Sequence, residues 1–574
     1  MALNLVRNSK VFFTTNVNAA TGIINSSGFL NTNTYEIQVL DGFTFSQGTN
    51  QETVTISEAG SDPIRGQRAF NTSLNPVDFS MSTYLRPALL SNVVAAEESV
   101  LWNALLSSSA VDSTGTTLGG TPTAAYTFNT ATGKGSLALT VLSLAAAPTV
   151  NSYVTITGLI HADTLGEVKY LNAPAKVISS STTAVTLEYA NPYPGTITGI
   201  TFSAGAKLYT STGWAPNGTT FAVASTASSN KNQLQKFGML FLVDNVLYGV
   251  DNAAMTQVSI DFGIDAIATA AWTGQGTVLR KLADGAVIAS GTITALTESL
   301  GAATISAASG TNPATATITL TTAIASNIST GQTVTGTGTP GVIGSSSTVV
   351  SVTRNTSGLV TSFTITGTSA HTNGALTGVT VTTLASGSYA QKNTSAAYLT
   401  NKISTVSLKL VNDLKDASNN TVAVKDTSYS IALTGGSFTF NNNVTYLTPA
   451  NLSVVNLPIA NFTGARAISG SMNAYLKTGV GEGGTGQLLN DLLAAASTTI
   501  EPMFALKLNI GGSVNNRVEL DMPGAMLTIP TVDVQQVVST TINFMGQAMT
   551  PSTTTGSTYA LDKLNDVIVR YYAV

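Results

Sequence analysis

One short pattern occurs twice in this chain, and any fold must accommodate both copies. Tyr35-Glu-Ile37-Gln-Val39 leads to Phe43-Thr-Phe45, and Tyr429-Ser-Ile431-Ala-Leu433 leads to Phe438-Thr-Phe440. Ser80-Met81-Ser-Thr-Tyr84-Leu85-Arg86 is matched by Ser471-Met472-Asn-Ala-Tyr475-Leu476-Lys477. Leu101-Trp-Asn103-Ala-Leu105-Leu106 is matched by Leu488-Leu-Asn490-Asp-Leu492-Leu493, and Trp272-Thr-Gly274-Gln275 by Phe544-Met-Gly546-Gln547. Four blocks in one order mark an internal repeat, which takes precedence over local assignments. The spacing between partners is steady through three blocks and shrinks at the fourth, so the first copy carries an insertion. The expected division is 1–111 and 230–284 for the first unit and 112–229 for a β-domain inserted into it. Residues 285–400 form an immunoglobulin-like β-sandwich between the copies, and 401–574 form the second unit.

Composition agrees with a large, mainly β protein. The 574 residues exceed the roughly 250–300 that one core ordinarily holds. Only 9% are charged while 43% are hydrophobic, which excludes a disordered chain. A net charge of −4 gives no general attraction to nucleic-acid phosphates. Without cysteine there is neither a disulfide nor a thiolate site. Met1 to Phe13 lacks the apolar run of a secretory signal, and Phe237 to Val250 is too short to cross a bilayer. A protein made and folded in a cytosol, without membrane insertion, is expected.

Each unit reads as a sandwich or rolled sheet with one packed helix. Tyr35 to Val39 and Tyr429 to Leu433 alternate as half-buried strands, with Asp41-Gly42 and Gly435-Gly436 supplying the turn chemistry of a hairpin or bulge. Val94, Leu101 and Leu105 recur at helical spacing, and Thr485 is the candidate N-cap of the second helix. In Val258-Ser-Ile260-Asp-Phe262-Gly-Ile264-Asp, the apolar side chains take one face, leaving Ser259, Asp261, Gly263 and Asp265 on the other. That polar face is either solvated surface or the wall of an aqueous channel. In 285–400 and 112–229, short Thr- and Val-rich strands separated by glycine turns suggest small β-domains on the unit's surface.

The chain offers no enzyme chemistry. His161 and His371 each lack a second ligand at metal spacing, and no Gly-x-Ser-x-Gly elbow accompanies them. Gly479-Val-Gly481-Glu-Gly-Gly484 fits a dinucleotide loop, but its counterpart in the first copy has no glycine, so it reads as a linker. Glu97-Glu98 reads as the solvated face of a helix. No catalytic residue, cofactor or metal is expected.

Three segments resemble the tail tube (major tail) proteins of long-tailed bacteriophages. They are the opening Met1-Ala-Leu-Asn-Leu-Val-Arg-Asn-Ser-Lys-Val-Phe-Phe, then Phe79 to Pro87 with the Glu97-Glu98-Ser-Val-Leu-Trp helix, and the strand ending at Trp272-Thr-Gly. The resemblance implies a virion structural protein whose stacked rings form a conduit for double-stranded DNA, which passes without specific binding. Six units complete such a ring, so a two-unit chain implies a homotrimeric, pseudo-hexameric ring. Further implied partners are the tape measure and the terminator or baseplate proteins, with assembly in the host cytoplasm. Asp261 and Asp265 become the candidate lumen-facing residues. Ring-to-ring contacts would use loops and the arm Met1 to Thr34, and bulky insertions favour a non-contractile tail. A tail fibre or adhesin, or a surface-layer protein, is the alternative: the first expects serial repeats or a coiled coil, the second an export signal.

Overall fold

Strands dominate because apolar residues recur either at period two or in short continuous runs. The computed structural model describes residues 9–572 except 41, 58, 61–64, 91–92, 107–115, 132–133, 151–152, 161–170, 172–174, 190–194, 210–233, 245, 285–287, 308–313, 327, 393–396, 426, 453–454, 478–483, 500–501, 513–515, 535–536 and 548–566. Among the described residues, seventeen strands form one hydrogen-bonded system. Eight come from the first half: β1 (Lys10–Thr14), β2 (Thr34–Ile37), β3 (Thr44–Ser57), β4 (Arg65–Tyr84), β5 (Phe237–Val243), β6 (Val246–Asp261), β7 (Thr269–Gly276) and β8 (Val278–Asp284). Nine come from the second: β9 (Thr405–Leu410), β10 (Ser428–Tyr429), β11 (Leu433–Asn441), β12 (Ala467–Tyr475), β13 (Met503–Ile510), β14 (Arg517–Leu527), β15 (Thr531–Asp533), β16 (Ser539–Gln547) and β17 (Ile568–Tyr572).

One pairing scheme serves both halves. β1 pairs with β2 and β5, β5 with β6, β6 with β7 and β8, and β4 with β3 and β7. In the same way β9 pairs with β10 and β13, β13 with β14, β14 with β16 and β17, and β12 with β11 and β16. β15 resumes along β16 after a gap that contains Pro530, a residue with no N–H for the ladder. All pairs are antiparallel, and alternation sorts their side chains. In β4, Val77, Phe79, Met81 and Thr83 are buried, while Asp78, Ser80 and Ser82 face outward. β5 is apolar throughout and buried nearly end to end, as a strand covered on both faces must be.

A single core runs through both halves and includes Phe79, Phe241, Trp272, Phe438, Phe440 and Phe544. Helix α1 (Ser99–Leu106) presses Trp102 edge-on against Trp272, with ring centroids 4.9 Å apart. Helix α2 is Thr485–Ala495. Val94, expected within the first helix, lies instead in a hairpin of Pro87–Leu90 with Val93–Ala96. Gly484, not Thr485, occupies the N-cap of α2. The Thr485 hydroxyl is engaged elsewhere, donating to Tyr475 O at 2.8 Å and accepting from Lys477 N at 2.7 Å.

The two extra segments have cores of their own. Between Thr116 and Tyr209 a seven-stranded sheet packs around Tyr126, Leu137, Leu139 and Leu187. Between Leu296 and Leu384 the strands close into a six-stranded barrel around Ile318, Phe363, Ile365 and Val381. This differs from the two open sheets of the expected immunoglobulin-like sandwich. The first strand bends at register shifts on either side of Gly301, whose φ is +77°, and its pairing with Gly374–Leu384 helps complete a ring. A satellite core of Phe12, Leu240, Leu282, Leu384 and Tyr389 fastens the barrel to the first half. Residues 15–33, expected in a free arm, also fold back there: Ile24 is buried, and its N–H donates to Asp251 at 2.9 Å.

Candidate assembly interface and sheet face

The halves meet strand to strand. The outer edge of β6 pairs with β11 in the register Gln257↔Asn441, Val258↔Phe440, Ser259↔Thr439, Ile260↔Phe438 and Asp261↔Ser437. Backbone bonds extend the ladder at both ends, from Phe262 N to Gly436 O at 3.0 Å and from Asn442 N to Thr256 O at 2.9 Å. Val258, Ile260, Phe438 and Phe440 are fully buried on the inner face. Asn442 Nδ2 donates to Leu105 O of α1 at 2.8 Å, and the Tyr446 hydroxyl donates to Asn252 O at the same distance. Gly435-Gly436, read as a turn, lie within β11. A Cβ on Gly436 would stand 2.2 Å from Ser471 O and 2.7 Å from the Phe262 ring, so close approach is what requires glycine there.

A buried polar cluster roofs this junction. Trp102 Nε1 donates to the Tyr571 hydroxyl at 2.8 Å, and that hydroxyl donates to Glu98 Oε1. Burial pushes the Glu98 carboxyl up to about 7, despite hydrogen bonds that favour its ionised form. Glu97 forms a 2.7 Å ion pair with Arg86, and Arg86 stacks on Tyr398. The Glu97-Glu98 pair expected on a solvated helix face is thus buried, because it closes the turn where Arg86 and β17 converge on α1.

The opposite face of the same sheet is polar and continuous across the junction. One row reads Ser82, Ala271, Ser259, Thr439 and Ser469 through five paired strands. The next reads Tyr84, Thr269, Asp261, Ser437, Ser471 and Asn543. Hydroxyls bridge neighbouring strands, Thr44 to Ser80 at 2.7 Å and Ser437 to Ser471 at 3.2 Å. Gln275 Nε2 donates to Asp78 at 2.9 Å on the same face. The charges at these positions, Asp78 and Asp261, are both acidic.

Of the two candidate lumen residues, Asp261 ends β6 on this face and is exposed. Asp265 lies beyond the strand, in the exposed turn toward β7, so it belongs to the rim and not to the row. Ser259 reads with Asp261 in the sequence, but Thr269, Ser437 and Ser471, the cross-strand neighbours of Asp261, escape sequence reading, although Ser80-Met81-Ser82 and Ser469-Gly-Ser471-Met-Asn473 carry the alternation.

Other candidates have structural roles or fall outside the described residues. His371 Nδ1 accepts from Gly344 N at 2.9 Å within the barrel. His161 and all of the glycine-rich motif except Gly484 lie outside the described residues. Among the described residues, no group of three metal-ligating side chains occurs, and no helix is long and apolar enough to cross a membrane.

Two sheet edges complementary to the junction carry no second strand. Among the described residues, β3, the counterpart of β11, pairs only with β4. β15, which continues the counterpart of β6, pairs only with β16. Ile529 and Val532 at that edge are 44% and 43% exposed.

No protein-family model matches the chain. A segment of 124 residues is 37% identical to the tail tube protein pb6 of Escherichia phage T5, over 20% of this chain. The match spans 25% of that relative's length. Over that segment, the chain is similar to a structural protein of a phage tail.

Proposed function

We propose that this chain is a virion structural protein that polymerises into the tube of a phage tail, with three copies closing each ring. The observation that carries the reading is the β6–β11 ladder. It joins the two halves, while among the described residues the corresponding edges, β15 and β3, each pair with one strand only. Setting β15 of one copy against β3 of the next repeats the internal junction. Such a head-to-tail contact closes into a ring when its rotation divides the circle, and closure removes the exposed edges. In this reading the two halves are duplicated tube units, six of which complete the ring with true threefold symmetry.

The polar face then lines the lumen, with Asp261 on the wall and Asp265 at its rim. The described positions of this wall, hydroxyls and amides with a few carboxylates, offer passing DNA no cation to hold its phosphates. The tail is the site of action, with tape measure, terminator and baseplate proteins as axial partners. The sheet and barrel of the extra segments project outward, which favours a non-contractile tail.

Negative-stain microscopy of the purified full-length chain tests the reading. Hollow tubes whose ring averages show threefold symmetry with six similar lobes are expected. Solid rods, planar lattices or particles that stay monomeric at high concentration would overturn it.

A further inference from the structure

The turn between β6 and β7 is covered by a segment from beyond its own unit. Residues 397–401, which lead toward β9, run across it. Ala268 N donates to Leu399 O at 2.9 Å and Asn401 N donates to Ala266 O at 3.0 Å, on either side of a bridge between Ile267 and Thr400. Ala397 N also donates to Pro87 O at 3.0 Å. Leu399 is buried and joins the core cluster that holds Ile260, Phe262 and Ala268. The segment is a strap, laid over the first half by the chain that enters the second.

The matching turn of the second half is exposed. β6 meets β7 at Asp261↔Thr269, as β15 meets β16 at Asp533↔Ser539. Leu85 N donates to Ala268 O, as Leu476 N donates to Val538 O, both at 3.0 Å. Val532, Val534 and Val538 therefore stand where Ile260, Phe262 and Ala268 stand in the first half. Those three are at most 3% exposed, whereas Val532 and Val534 are 43% and 78% exposed and Val538 is half-buried. The valines continue one face of β15 into its turn, the face that β11 and the strap cover on β6.

The chain contains a second segment of the strap's kind. β1 holds in the first half the place that β9 holds in the second, and the mostly apolar Ala2-Leu-Asn-Leu-Val6 precedes it. Leu5 stands five positions ahead of Lys10, where β1 starts, and Leu399 stands six ahead of Thr405, where β9 starts. Residues 1–8 lie outside the described residues. The strap ahead of β9 crosses the β6–β11 junction to reach the turn of β6. A strap ahead of β1 would cross the edge of β3, and in the ring reading the turn beyond that edge belongs to a second copy.

We propose that residues 2–6 of one copy strap the β15–β16 turn of its ring neighbour, with Leu5 seated against Val532, Val534 and Val538. The inference rests on the ring reading and adds to it a contact that the strand ladder does not contain. It makes the start of the arm a lateral fastener and not a ring-to-ring one. Each copy lays this segment over the copy whose β15 meets its β3.

The chain has no cysteine, so a cysteine pair can be placed at the bridge the strap should form. Val6→Cys with Val537→Cys matches Thr400 with Ile267, an antiparallel pair between flanking hydrogen bonds. Cα atoms in such a pair lie about 4.5 Å apart, within disulfide reach. Mild oxidation of tubes of this full-length double variant, read on denaturing gels without reductant, should yield dimers and trimers and nothing longer. Free subunits treated alike should remain single and without an internal cross-link. Tubes that form without cross-linking overturn the strap and leave the ring reading intact. Ladders beyond three chains, or a cross-link within free single chains, also overturn the strap. Failure of the unsubstituted chain to form any tube overturns both readings. A second variant, Leu5→Asp, should retain the thermal midpoint of the free subunit and raise its assembly concentration at least about tenfold. Assembly of that variant at the unsubstituted concentration overturns the strap as well.

Discussion

Tyr571 and Trp102 are 469 positions apart, yet the indole N–H donates to the phenol oxygen at 2.8 Å with both side chains fully buried. Tyr571 lies on β17, which pairs with β14, and Trp102 lies on α1, which packs on β6. The last strand therefore ties the two halves together behind the β6–β11 ladder. Replacing Tyr571 by Phe keeps the ring but strands the indole N–H and the Glu98 carboxyl. A loss of about 1–3 kcal/mol in denaturant unfolding is expected, with faster hydrogen exchange in β17.

The same cluster makes stability depend on pH. Burial raises the Glu98 carboxyl from 4.5 to about 7, so between those values the folded chain holds a proton that the unfolded chain has released. The Glu98 contribution is therefore complete below about pH 4.5, declines as pH rises, and is lost above about 7. Each pH unit across that window is worth about 1.36 kcal/mol, which amounts to roughly 3 kcal/mol in all. Arg86, Glu97 and Tyr571 are the neighbouring groups that set its field. Glu98→Gln should remove this component. The difference in unfolding free energy between the two proteins, measured from pH 4.5 to 7.5, should fall in that direction. A flat difference would refute it.

Gly436 sits where β11, β12 and Phe262 converge. A methyl group there meets backbone oxygen and an aromatic ring at under 3 Å, and neither can move without opening the junction. Gly436→Ala should cost about 1–3 kcal/mol and lower the calorimetric midpoint by several degrees. At Gly263, in the adjacent turn, a methyl group would meet nothing within 4 Å, so Gly263→Ala serves as the control, with little change expected.

These sites also show what the sequence could and could not convey. The repeat was legible because the paired blocks supply the same core positions, such as Phe45 with Phe440 and Trp272 with Phe544. The polar face was legible as alternation along β6, but only pairing put Ser82, Ser259 and Thr439 in one row. The burial of Glu98 was hidden because its cover, Tyr571, arrives from the far end of the chain. Gly436 read as a turn because a strand glycine and a turn glycine look alike until a neighbouring ring is placed. Barrel closure between Leu296 and Leu384 depends on bulges at Gly301, which strand propensity does not register.

In the proposed tube, the exposed ribbon of β3 and β4 would supply the axial contact. From Asn50 to Thr55 and from Arg65 to Thr72 every residue is exposed, including Val54 and Phe70 at 47% and 54%. A two-stranded ribbon is marginal in water without a covering surface. Its base bonds to Asn456 of the second half, near Leu452, which is 95% exposed. Phe70→Asp with Val54→Asp should leave isolated rings able to form while shortening tubes severalfold in micrographs. Tubes of unchanged length would exclude the ribbon from stacking.

The channel face makes the last prediction. Asp261 stands on the polar sheet face, and Asp265 stands in the turn past its end. Each proposed ring of three copies would carry three of each, and a lysine in place of either would add a cation along the DNA path at every ring. Phosphate contacts of this kind accumulate and weaken with salt. Phage carrying Asp261→Lys together with Asp265→Lys should still assemble tubes but eject DNA more slowly, with recovery as ionic strength rises. Asp261→Lys alone should account for most of the delay, because in the ring reading its side chain would line the wall and Asp265 would stand at the rim. Ejection kinetics in single-particle fluorescence provide the measurement. Normal rates in the double variant would remove both residues from the lumen, and a larger effect from Asp265→Lys would move the wall toward the β6–β7 turn.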